Sequence, residues 1–207
     1  MIAQEVKFDA RRALADLGGE RLHPRYARGP SEEMMASLRL ERPTPDEVVD
    51  IHRVASEQIG GSLATLDEIR RVDALTDAAL WALRRRGEVT GFLAPLALTL
   101  AGRDALVDGT FNAGAVEARW VARIGEPLAG FYCWSYAGRD QVTRGALVLA
   151  LRTLIDRHFP DLPFFGRDTT AAGARIMSHL GFEAFNDTPH LYWRCQSVMT
   201  LVGEKMQ

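Results

Sequence analysis

The sequence predicts a mixed α/β fold, and three features carry that prediction. Two capped amphipathic helices come first, between Thr44 and Leu83. Apolar, strand-like segments follow from Glu88 to Tyr136. The remainder then alternates strand, helix, strand, helix and closing strands, the order of a mixed domain and not of a bundle or sandwich. A chain of 207 residues, 47% hydrophobic and 25% charged, is long enough for one hydrophobic core.

Residues 1–40 read as an N-terminal extension, a helical arm, and residues 41–207 as a single domain. Met1 to Gly19 lacks the apolar centre of a signal sequence and reads as an amphipathic helix over Asp9–Leu17, stopped by Gly18-Gly19. His23-Pro24 and Gly29-Pro30 punctuate a loop, and Ser31 is placed to cap a short helix carrying Met34 and Met35. The extension suits an arm, a lid, a homodimer contact or a loosely docked segment.

Thr44-Pro45-Asp46-Glu47 is a helix start with a capping box and proline at the first helical position. That helix buries Val48, Ile51 and Val54 and ends at Gly60-Gly61. A second capping box, Thr65 to Glu68, opens a helix with the stripe Ile69, Val72, Leu75, Leu80 and Leu83, with Gly87 past its end. Glu88–Thr99 is an apolar strand, ended or kinked near Pro95. Gly102–Gly109 is a helical turn. Val116, Ala118, Trp120 and Ala122 alternate with charged residues as a half-buried strand does. Leu128–Tyr136 is the next strand, and Leu147, Leu151, Leu154, Ile155 and His158 line the following helix. Pro163–Gly166 is a short buried strand. Asp168 or Thr169 caps a helix carrying Ile176, Met177 and Leu180, and Phe182–Phe185 and His190–Cys195 close the chain as strands.

Charge excludes several function classes. A formal net charge of -2 gives no global attraction to nucleic acid or anionic lipid. Arg84-Arg85-Arg86 falls at an expected helix end, where cations complement the dipole. No apolar run approaches the roughly 20 residues of a membrane span. Two cysteines, Cys133 and Cys195, make neither a disulfide framework nor a metal-ligand pair, and no metal site is expected. The expected setting is the cytoplasm. Dinucleotide, Walker, zinc-protease and nucleophile-elbow motifs are absent.

From Leu162-Pro163-Phe164-Phe165 to Phe182 the chain resembles the C-terminal half of the GNAT superfamily of acyl-CoA N-acyltransferases. There a buried strand leads into a helix that begins with Asn or Thr, has a small residue three positions on, and ends in Leu-Gly-Phe; here these are Thr170, Gly173 and Leu180-Gly181-Phe182. Upstream, the loop form Q/R-x-x-G-x-G/A, which presents amides to the coenzyme A pyrophosphate, is matched by Gln141-Val142-Thr143-Arg144-Gly145-Ala146, with Arg144 in place of the first glycine. Val89–Trp134 also resembles bacterial proteins of this fold that pair a Gly-Phe-Leu-Ala-like strand with a Tyr-x-Trp strand.

The resemblance implies a mostly antiparallel central sheet flanked by helices, acetyl-CoA or another acyl-CoA as cofactor, and a small-molecule amine as substrate. It also implies a tyrosine four residues before the glycine of Leu-Gly-Phe as the acid that protonates the leaving thiolate, but Met177 stands there, and a thioether cannot donate a proton. The alternative is a catalytically silent, ligand-sensing or partner-binding module of the same fold.

Substitute groups lie on the strand before the Gln141 segment. Alternation places Tyr132, Trp134 and Tyr136 on one face and Cys133 and Ser135 on the other. Tyr136, nearest the strand's end, is the candidate acid, against a reading of the aromatics as packing residues. Cys133 is either a nucleophile or a small buried thiol. His190 with Tyr192, His179 and Glu117 each have a structural reading beside a functional one, and His52 has no evident partner.

Overall fold

The computed structural model describes residues 29–59, 63–168, 171–185 and 188–196, together with Arg11 and Leu14. The elements run α1 (Glu32–Ser37), β1 (Leu40–Glu41), α2 (Pro45–Gln58), α3 (Leu66–Thr76), β2 (Trp81–Arg85), β3 (Glu88–Leu98), α4 (Leu100–Val107), β4 (Gly130–Gly138), α5 (Gln141–Thr153), β5 (Phe164–Arg167), α6 (Ala171–His179), β6 (Glu183–Ala184) and β7 (Leu191–Arg194). The seven strands form one sheet in the order β1-β2-β3-β4-β5-β7-β6. Every pairing is antiparallel except β4 with β5, which is parallel because α5 crosses between them. This is the mixed, mostly antiparallel sheet flanked by helices that the resemblance implies.

The two faces of the sheet carry separate cores. Phe131, Phe164, Trp81 and Leu93 pack with Leu147 and Leu151 of α5 and Met177 of α6 on one face. On the other, Ile51 and Val54 of α2 pack with Phe92, and Val72 of α3 and Leu106 of α4 with Trp193, Phe165 and Tyr132. Of the expected helix over Asp9–Leu17 only two residues are described; Leu14 is buried in the second of these cores and Arg11 pairs with Asp108 at 3.3 Å.

Several helix starts form as expected. Ser31 accepts from the Met34 amide. Thr44 and Glu47 make a reciprocal capping box. At Thr65 the box is one-sided. The Thr65 hydroxyl accepts from the Glu68 amide, but Glu68 turns away to accept from the Val116 amide at 2.6 Å and from Arg71.

Three expectations are corrected. The second helix stops at Thr76, with Asp77 left-handed at φ 52; Leu83 belongs to β2 and Leu80 immediately precedes that strand. Ala78–Leu83 is buried throughout, so its apolar residues fit either period. The three arginines therefore end a strand, not a helix. Arg84 binds Glu47 and Glu41, and Arg85 binds Asp140. Of the two expectations at Pro95, an end or a kink, the second agrees with the structure: β3 continues to Leu98 through a register shift between Ala94 and Pro95, where the missing N–H is tolerated. Val116–Arg123 is not a strand. It is a loop with a 3₁₀ turn at Ala118–Trp120 and one bridge, Leu98 to Val121.

Glu47 also ties α2 to β2. Its carboxylate accepts from Arg84 Nε at 2.7 Å and Nη2 at 2.6 Å, and these bonds hold its pKa at about 2 against the opposing effect of burial. The folded pKa lies below the ordinary 4.5, so the contribution to stability is complete above pH 4.5 and is lost as pH falls toward 2. We expect this loss to be about 2 kcal/mol, allowing for partial exposure of the pair. Urea midpoints across that range should converge between wild type and Glu47→Gln; a constant gap down to pH 2 would refute it.

Candidate functional site

β4 and β5 lie side by side for only three residue pairs, Phe131–Phe164, Tyr132–Phe165 and Cys133–Gly166. β4 then runs on to Gly138 while β5 ends at Arg167. From Trp134 to Gly138, the edge of β4 that faces β5 thus has no strand partner among the described residues, and alternate residues direct their N–H and C=O groups into the gap. A cavity of about 920 Å³ occupies this splay. Its walls come from both faces of the sheet. Arg144 of α5 and Gly173, Ile176 and Met177 of α6 line one side; Ile51, His52, Ala55 and Gln58 of α2 line the other.

A bulge in β4 decides which side chains meet which half. Ala94 pairs with Ser135 and Pro95 with Cys133, so Trp134 has no counterpart on β3. The extra residue inverts the alternation. Tyr136 packs against the same core as Cys133, on the α5–α6 side, while Tyr132 and Trp134 face the other core. This corrects the expectation that Tyr132, Trp134 and Tyr136 share a face. Trp134 is fixed by donating its Nε1–H to the Ala113 carbonyl at 2.9 Å.

Tyr136 lines the cavity and is half-buried. Burial, aided by Cys133, pushes its pKa well above the ordinary 10, so its hydroxyl stays protonated. Cys133 also touches the cavity but is 6% exposed, and burial pushes its thiol up to about 12. With burial alone acting on the thiol and no described cation favouring its thiolate, the surroundings favour the buried-thiol reading of Cys133 over the nucleophile. Iodoacetamide at pH 8 should therefore alkylate Cys133 at least ~100-fold more slowly in the native protein than in urea. Mass spectrometry of timed quenches would measure this, and comparable native and unfolded rates would contradict it.

The expected phosphate loop is also revised. Gln141, Val142, Thr143, Arg144, Gly145 and Ala146 are not a loop but the first turns of α5. The strand is joined to the helix by Arg139 and Asp140 alone, and Asp140 is the N-cap, accepting from the Thr143 amide at 2.7 Å. Thr143 is 1% exposed, its methyl group packed where a Cβ on Gly91 or Gly138 would sit. Gln141, Val142, Gly145 and Ala146 face outward and do not line the cavity. Arg144 does, with Nη1 donating to the Gly138 carbonyl at 3.3 Å. Gly173 lines it as well, and Thr170 lies outside the described residues. Met177 is buried, with its methyl end against Gly166.

Other expected residues meet elsewhere. Asp168 binds His190 Nδ1 at 2.9 Å and accepts from the Tyr192 hydroxyl at 3.1 Å, outside the cavity lining, and the other expected cap, Thr169, lies outside the described residues. Three polar residues of the described lining were given no role from the sequence: His52, Gln58 and Arg167. His52 lies four residues after Val48 and beside Ile51, a flank of the buried stripe that periodicity does mark. Arg167 ends a buried strand, where a cation is unexpected. Among the described residues, the cavity lining holds two arginines and no aspartate or glutamate. Among the described residues, no group of three or more His, Cys, Asp or Glu is placed to hold a metal ion, and no helix is long and apolar enough to cross a membrane.

The chain matches no protein-family model and no curated protein. Among solved structures it is similar to GphF, a GNAT-like decarboxylase in complex with isobutyryl-CoA, at 13% identity and a TM-score of 0.43, over 70% of this chain and 72% of that one.

Proposed function

We propose that the protein binds an acyl-CoA in the splay between β4 and β5 and transfers the acyl group to a small-molecule amine. The observation that carries this reading is the unpartnered edge of β4 along a cavity open to both faces of the sheet. An extended pantetheine pairs with such an edge by strand-like hydrogen bonds. The thioester then lies beside Tyr136, and an amine arrives from the α2 side. In the reaction the amine nitrogen bonds to the thioester carbon, the C–S bond breaks, the amine's proton passes to a base, and the sulfur departs as a thiolate that takes its proton from solvent. Tyr136 acts as a hydrogen-bond donor to the oxyanion or the sulfur, since a phenol held so high does not surrender its proton outright to a thiolate near 8.5. His52, on the amine side, is placed to accept the amine's proton. Arg144 takes the diphosphate in place of the amides that Asp140 already occupies.

Met177 favours a second reading, a binding module without turnover, because a buried thioether stands where the family's acid is expected. Calorimetry with acetyl-CoA and longer acyl-CoAs, followed by a thiol-release assay with a panel of amines, separates the readings. Binding with release that Tyr136→Phe slows at least ~100-fold supports the enzyme. Binding without release supports the module, and no binding at millimolar concentration rejects both.

A further inference from the structure

We propose that the α2 side of the cavity recognises a carboxylate, held by Arg167 with Ser135 as a second donor. This deepens the acyl-CoA reading and rests on it for which molecule brings the carboxylate. Arg167 is the last residue of β5 and lines the cavity beside Tyr132, which it influences electrostatically. Its Nη1 donates to the Phe111 carbonyl at 3.4 Å. Its Nε is buried without a hydrogen-bond partner, leaving the Nε–Nη2 edge turned from Phe111. That edge is the two-donor fork that fits the two oxygens of a carboxylate.

No described residue neutralises the Arg167 guanidinium. Among the described residues it makes no ion pair, and its neighbour Asp168 is engaged by His190 and Tyr192. A guanidinium does not shed its proton, so burial beside apolar walls is costly until an anion arrives. Ser135 adds an independent signal. Its Oγ is also buried without a partner. It pairs across from Ala94, and the bulge at Trp134 puts it on the Trp134 side of the sheet, the side Arg167 shares through Phe111 and Tyr132. An orphaned hydroxyl and an uncompensated guanidinium in one cavity whose described lining holds no acidic residue define a small anionic subsite. One fork and one hydroxyl match a carboxylate better than a phosphate, whose additional oxygens would lack donors.

Two sources supply that chemistry: the far carboxylate of a dicarboxylic acyl group, or the carboxylate of an amino-acid acceptor. Calorimetry on the wild-type protein distinguishes them. One arm compares succinyl-CoA with butyryl-CoA, which carries a methyl group in place of the carboxylate. The other compares L-amino acids with their carboxamides in the presence of acetyl-CoA. We expect a preference for the carboxylate of roughly 10- to 100-fold in one arm. Arg167→Gln should abolish it while butyryl-CoA affinity stays within about 2-fold, and Ser135→Ala should weaken it several-fold. Equal binding of carboxylate and neutral partner by the wild type in both arms overturns the subsite, whatever the variants do. Amino-acid binding that needs Arg167 without any acyl-CoA binding would retain the subsite and reject the acyl-CoA reading. Absence of all binding rejects both.

Discussion

Gly102→Ala should destabilise the fold by about 3 kcal/mol or more. A Cβ on Gly102 would lie 1.9 Å from the Trp120 carbonyl oxygen and 2.7 Å from its carbon. Both are backbone atoms, and neither can rotate away. The Trp120 turn is itself fixed, since Trp120 O accepts from the Thr99 amide at 3.1 Å and the Ala122 amide donates to Ala97 O at 2.9 Å. Either α4 or the turn must move, and a forced overlap of this kind in a packed core is strongly destabilising. Gly145→Ala is the control. It is also helical, but a Cβ there would meet nothing within 4 Å, so alanine should be neutral or stabilise by up to about 1 kcal/mol. Urea denaturation of the two variants tests the contrast. A Gly102→Ala protein within about 0.5 kcal/mol of wild type would mean that the turn yields freely. The strain should also reach the cavity, because the loop between α4 and the turn carries Ala113, the hydrogen-bond partner of Trp134.

The elements legible in the sequence are those announced by local chemistry. Thr44 and Glu47 satisfy the first amides of α2 from within four residues, and Gly181, at φ 74, stops α6 so that Phe182 re-enters the core. Misread elements depended on contacts distant in sequence. Ala78–Leu83 carries a helical spacing, but a left-handed Asp77 and the Arg42 bond to Leu80 O at 2.8 Å deliver it to the sheet. The bulge at Trp134 matters most for the site. One inserted residue changes the face of everything after it, and no period-two count from sequence reveals the insertion. The Gln141 segment failed differently: the loop pattern was matched, while the cap that makes it helical is Asp140, one residue outside the pattern. Arg167 and Ser135 were illegible as a pair because only the splay joins them.

The electrostatics at the start of α5 lead to the second large effect. Asp140 caps the helix, and bonds from Thr143 hold its carboxyl below the usual range, so it is ionised at neutral pH. It also pairs with Arg85 at 3.2 Å. A negative group therefore sits on the amides that a diphosphate would otherwise use, and like charges at that distance oppose each other. Arg144, one turn on at the cavity wall, makes no ion pair among the described residues and has only the Gly138 carbonyl for its Nη1. If acyl-CoA binds in the splay, affinity should rest on Arg144 against the opposition of Asp140. Arg144→Gln should lower acetyl-CoA affinity roughly 10- to 100-fold. Asp140→Asn should raise it several-fold, since asparagine caps a helix nearly as well while removing the charge. Both effects should shrink in high salt, where screening weakens exposed charges. Calorimetry at two ionic strengths reads all of this. An Arg144→Gln protein that binds acetyl-CoA within 2-fold of wild type would place the phosphates elsewhere. A loss of affinity in Asp140→Asn would show that the capped amides, not the arginine, receive them.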